Sequence, residues 1–131
     1  DLAEYLASPV RTRYDTIFLD TWDTLDAANL PEINRLRDLA IRHLGPDGRL
    51  LLWGYHWMVR LFEDGCRQLL AVSLERRTGW LTGQIEQNPG ASLLRPVAAH
   101  FAGQEVSAEE MSVALAWCRK YAVTVSAQPE R

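Results

Sequence analysis

Apolar residues fall along this chain in two kinds of grouping, short unbroken runs and stripes at helical spacing. Leu2, Tyr5 and Leu6 put an apolar face on a short helical turn that ends before Pro9. In the segment YDTIFLD, Tyr14 to Asp20, the run Ile17-Phe18-Leu19 is closed by a carboxylate. A short apolar run of this kind suits a parallel strand buried on both faces. The polar connection TWDTLDAAN follows. Asn29 and Glu32 bracket Leu30-Pro31, the pattern of an N-cap with a reciprocal glutamate and an early proline. Ile33, Leu36, Ala40 and Leu44 continue at helical spacing, Gly45-Pro46 stops the helix, and Asp47-Gly48 turns the chain. Leu50-Leu51-Leu52-Trp53 is the second buried-strand signal and ends at Gly54.

Strand, helix and strand in that order predict a βαβ unit. Residues 15–20 and 49–54 are expected as adjacent parallel strands joined by a helix over 29–44, with a right-handed crossover. The rest reads as helical. Met58, Leu61, Phe62, Gly65, Leu69 and Val72 mark one face. Residues 76–90 carry conflicting signals, because Thr78-Gly79 and Asn88-Pro89-Gly90 punctuate Trp80, Leu81 and Ile85. Leu93 to Phe101 predicts a short helix ended by Gly103. Ser107-Ala108-Glu109-Glu110 is a capping box. It opens a helix with Met111, Leu115, Cys118, Ala122 and Val125 on one stripe, and the polar tail after Ser126 is expected to fray.

Composition narrows the classes. The chain has 131 residues, 47% hydrophobic and 24% charged, enough for one domain with a real core and unlike a disordered segment. The net charge is -3 and the 14 basic residues are scattered, which argues against nucleic acid as a partner. No apolar run approaches the roughly 18 residues of a membrane span, and neither a span nor a signal peptide is expected. Cys66 and Cys118 lie far apart in sequence and make no metal or redox motif, so two free thiols in a reducing cytoplasm are expected. His43, His56 and His100 have no carboxylate or second histidine at ligand spacing, so no metal site is expected. Arg76-Arg77 reads as a solvated face. The first residue is Asp1 rather than Met, so an upstream segment is expected.

From Asp1 to Trp57 the order of signals resembles the class I S-adenosylmethionine-dependent methyltransferases and their relatives the spermidine synthases. An aspartate precedes a small helix, DLAEYL; YDTIFLD is similar to the family's fourth strand; a helix follows; and LGPDGRLLL is similar to its glycine turn into strand five. The resemblance covers under half of the chain. It implies an α/β fold, a partial Rossmann-like parallel sheet over residues 1–57, followed by a mainly helical part over 58–131 within one domain. It implies that Asp1 contacts the adenine of S-adenosylmethionine. It also places Asp20, at the carboxyl end of the fourth strand, at the reacting centre, where a carboxylate can orient or deprotonate a nucleophile. Trp22 and Asp23 would line the substrate side, and Trp53, Tyr55, His56 and Trp57 would form an aromatic wall. The family's glycine-rich first loop, the acidic residue ending its strand two and its closing antiparallel hairpin have no counterpart in the sequence.

Two functions follow as expectations. In one, the chain is the C-terminal part of an S-adenosylmethionine-dependent transferase, methyltransferase or aminopropyltransferase-like, acting on a small-molecule substrate but lacking the cofactor's glycine loop. It would then bind the cofactor weakly or not at all by itself. In the other, it is a non-catalytic, methyltransferase-derived module that packs against a partner chain. Both readings expect association, with a missing N-terminal half or with a second copy, because the Ile17-Phe18-Leu19 strand would expose an unblunted apolar edge. The plainer alternatives are a turn-capping Asp20 and simple packing by the aromatic residues.

Overall fold

The structure, a computed structural model, describes residues 1–127. Helix α1 (Leu2–Ala7) leads into strand β1 (Tyr14–Leu19), then helix α2 (Leu30–Ile41) and strand β2 (Leu44–Leu52). Helices α3 (Tyr55–Ala71), α4 (Leu74–Gln87), α5 (Arg95–His100) and α6 (Met111–Thr124) follow, with short 3-10 turns at Ala27–Asn29 and Pro89–Leu94. The chain is mixed α/β, with a two-stranded parallel sheet and a mostly helical remainder.

The expected strand–helix–strand unit is present. Ile17, Phe18 and Leu19 stand beside Leu50, Leu51 and Leu52 in parallel register. Its boundaries differ from expectation in an instructive way. α2 stops at Ile41, and the segment Leu44–Gly48 already belongs to β2 rather than to a helix end and turn. Tyr14 pairs with Leu44 while Thr16 pairs with Arg49, so the Gly-Pro-Asp-Gly stretch is absorbed as a bulge inside the strand. His43 lies buried beneath this bulge. Its carbonyl accepts from the Tyr14 amide at 2.8 Å, and its Nε2 is 2.9 Å from the Leu6 carbonyl, which ties α1 to the sheet.

The expectation that the strands are buried on both faces is corrected. Ile17, Leu19, Leu50 and Leu52 turn towards the core. Phe18 remains 55% exposed and its neighbour Leu51 50% exposed. Among the described residues nothing covers that second face: α2 follows β1 and packs beside β2, and the later helices join the same core as the inner faces of the strands. Along that core, Met58, Phe62, Cys66 and Leu69 of α3 meet Leu115, Cys118 and Ala122 of α6.

Other local readings are settled by hydrogen bonds. Asn29 does not cap α2; its amide donates to the Thr24 carbonyl at 2.8 Å, and Glu32 pairs with Arg35. Asp26 caps the opening turn instead, accepting from the Ala28 amide at 2.9 Å. Residues 74–87 form one helix through Gly79 and Gly83, because both glycines face open space and neither bends the backbone. The capping box is formed as expected: Ser107 Oγ accepts from the Glu110 amide and Glu110 Oε1 from the Ser107 amide, each at 3.2 Å. Ala127 donates to the Pro31 carbonyl, so the tail is held against the start of α2 as far as it is described; residues 128–131 lie outside the described residues.

Candidate functional site

The carboxyl ends of β1 and β2 are joined by two contacts. The Trp53 amide donates to the Leu19 carbonyl at 3.0 Å, and the buried Trp22 indole donates to the Trp53 carbonyl at 2.9 Å. Trp22 is therefore fixed in the core, where it holds the post-β1 loop against the end of β2. On either side of it, Asp20 and Asp23 are exposed, and neither side chain is hydrogen-bonded among the described residues. Asp23 borders a hollow of about 440 Å³ that is also lined by Thr21, Trp22, Asn29, Glu32 and Leu36. Asp20 stands outside this hollow, one residue past the Leu19–Leu52 pair that ends the sheet.

Gly54 makes the exit from β2 possible. Its φ of 66° lies in the left-handed region, and a Cβ there would come within 2.0 Å of Leu25 Cδ2. Glycine meets both demands at once.

The aromatic residues after β2 divide. Trp53 and Trp57 are exposed and so is His56, whereas Tyr55 turns inward. The Tyr55 hydroxyl donates to Asn34 Oδ1 in a short bond and accepts from Arg37 at 3.0 Å. Burial pushes its pKa up, opposed by the Arg37 charge. Asn34 is completely buried and donates to the carbonyls of Ala122 and Val125. Arg37 donates to the Val123 carbonyl at 2.8 Å. This network of Asn34, Arg37 and Tyr55 joins α2, α3 and the last turn of α6, and it engages the hydroxyl expected on the substrate side. The sequence carries no motif for it, since its members are scattered single residues.

Asp1 caps α1, with Oδ1 accepting from the Ala3 amide at 2.7 Å. That bond engages one oxygen of the carboxylate for which an adenine contact is expected. No group of three metal-ligating side chains occurs among the described residues, and no helix there is long and apolar enough to cross a membrane.

One expectation elsewhere is revised. Arg77 is buried, not solvated: its guanidinium donates to the carbonyls of Phe101 and Gln104, both at 3.1 Å, and so ties α4 to the end of α5. Cys66 and Cys118, remote in sequence, meet between α3 and α6. The Cys118 thiol as hydrogen-bond partner, followed by burial, pushes the Cys66 thiol far up and keeps it protonated.

No family model matches the chain, and neither a curated protein nor a solved structure matches it.

Proposed function

We propose that this chain is the C-terminal part of an S-adenosylmethionine-dependent transferase, of methyltransferase or aminopropyltransferase-like type, on a Rossmann-like sheet. The observation that carries the reading is the parallel β1–β2 pair with free carboxylates of Asp20 and Asp23 just beyond the end of β1. Ligands of open α/β sheets bind beyond the carboxyl ends of the strands. Asp20, exposed and unpaired with any cation among the described residues, is the group to orient a small-molecule nucleophile or accept its proton. Asp23 borders the hollow beside it.

The bare sheet face supports the same reading. Parallel sheets are ordinarily covered on both faces, and Phe18 and Leu51 lie side by side in water here. A segment or chain bearing the cofactor loop would add a strand to the β1 edge and cover this face. The present chain alone is expected to bind S-adenosylmethionine weakly or not at all. A cytoplasmic setting belongs to this reading, since it keeps the Cys66 and Cys118 thiols reduced.

The test uses the full polypeptide that carries this chain. Calorimetry should show S-adenosylmethionine binding, and Asp20→Asn should lower transfer turnover by about 10²–10⁴-fold while the protein stays folded. Unchanged turnover would leave Asp20 as a loop residue. A full polypeptide that does not bind the cofactor would overturn the enzyme reading in favour of a non-catalytic interaction module, which the exposed Phe18, Leu51 and Trp53 also suit.

A further inference from the structure

A second concavity lies away from Asp20, between α3, α4 and the 89–94 turn, with a volume of about 350 Å³. Its walls are mainly apolar and aromatic, including Leu61, Phe62 and Trp80. Among the described residues no lysine or arginine lines it. The one charged group among the described residues that line it is Asp26, half-buried at the rim. Asp26 Oδ1 accepts from the Ala28 amide, while Oδ2 has no hydrogen-bond partner among the described residues. The carboxylate lies directly over Gly90: a Cβ at that position would fall 2.5 Å from Oδ1 and 2.8 Å from Oδ2. The glycine therefore lets the 89–94 turn close up under the carboxylate at the edge of the cleft. Gln68 and Gln84 also line the cleft, and their amides have no side-chain partner among the described residues.

We propose that this cleft binds an organic monocation with an apolar body, an arylalkylammonium being the simplest case, with Asp26 as its counter-ion. The apolar walls remove the body from water, and a pocket with a few polar groups is the usual form of a small-molecule site. An ammonium placed at the rim gains the unpartnered Asp26 oxygen in a charge-assisted hydrogen bond, and the Trp80 indole in the same lining is the aromatic group available for cation–π attraction. A lone carboxylate selects one positive charge. A linear diamine would leave its second ammonium against the apolar wall, so long polycations are disfavoured. The site is separate from the Asp20 region and does not depend on the transferase reading.

The experiment is a titration of the chain, followed by 1H–15N NMR, with 3-phenylpropylammonium, 3-phenylpropan-1-ol and 1,4-diaminobutane as probes. The ammonium should shift the Trp80 indole and the Gly65 and Gly90 amides saturably and bind about tenfold tighter than the alcohol, equivalent to about 1.4 kcal/mol. The diamine should bind more weakly than the arylalkylammonium. Asp26→Asn keeps an oxygen for the Ala28 amide and should abolish the preference for the cation without abolishing weak binding of the alcohol. Ala91→Phe, which fills the cleft, should remove binding of both aryl probes. Equal affinity for ammonium and alcohol, shifts centred on Asp20 and Asp23, or an unchanged preference in a folded Asp26→Asn protein would each overturn the proposal.

Discussion

Where α3 meets α6, the apolar side chains are out of water: Met58, Phe62, Cys66, Leu69, Leu115, Cys118 and Ala122 are at most 3% exposed. On β1 and β2 the inner side chains are covered too, but Phe18 and Leu51, in register on the other face, keep half or more of their surface in solvent. The two regions are built from similar residues, so hydrophobicity does not separate them. Geometry does. A helix has one apolar stripe to cover, and for α3 it is covered by α6 together with α2, α4, α5 and the 89–94 turn. A parallel strand with apolar residues on both faces needs a layer on each side, and among the described residues only one side has it.

The contrast is most directly broken by paired truncations. Phe62→Ala should cost about 3–5 kcal/mol of unfolding free energy, the usual range for a buried phenyl group. Phe18→Ala in the chain alone should change stability by no more than about 0.5 kcal/mol, as for an ordinary surface substitution. Urea titrations of both variants at low protein concentration give the comparison. A cost for Phe18→Ala approaching that of Phe62→Ala would mean that the second face is covered in solution, and light scattering would then show association.

Part of this contrast is legible in the sequence and part is not. The runs Ile17-Phe18-Leu19 and Leu50-Leu51-Leu52 mark the strands, and the Ser107–Glu110 box marks the start of α6, because in these places local propensity and tertiary structure agree. Local reading misplaces Gly45-Pro46-Asp47-Gly48 as a helix stop and turn. The Tyr14–His43 hydrogen bond instead holds the chain at strand distance and bulges it there. The candidate site shows the same division. Asp20 and Asp23 follow a recognisable strand, but the roles of Trp22 and Tyr55 depend on partners far along the chain. Neither Asn34 beneath α6 nor Asp26 facing Gly90 has a periodic or spaced signal.

The Asn34 network sits where the two regions join, so its loss should be intermediate. Asn34→Ala would remove both donors to the Ala122 and Val125 carbonyls and leave the Tyr55 hydroxyl without its acceptor. Stranding buried polar groups costs about 1–3 kcal/mol, and a loss of about 2–3 kcal/mol is expected. Hydrogen exchange should quicken first in the last turn of α6, while the β1–β2 amides keep their protection. Uniform loss of protection would show instead that sheet and helices unfold as one unit.

The smallest effect belongs to a surface link within the well-covered region. Arg119 of α6 donates to both carboxylate oxygens of Glu63 on α3, at 2.8 and 3.2 Å. The hydrogen bond from Arg119 is the main reason the Glu63 carboxyl is held below its ordinary range; burial opposes it, and the charges of Arg119, Arg67 and Arg60 add to it. A carboxyl with a depressed pKa binds fewer protons in the folded chain than in the unfolded one across the acid range. Its contribution is therefore fully present above the ordinary glutamate pKa of about 4.3 and is lost as the pH falls below that value towards the folded one. Water around the exposed Arg119 screens the pair, so the change is small beside that of Phe62→Ala. Thermal melts from neutral pH into the acid range should show a modest decline for the wild type, with part of it absent in Glu63→Gln. Identical pH profiles for the two proteins would mean that packing alone holds α3 to α6, which would sharpen the contrast with the uncovered sheet.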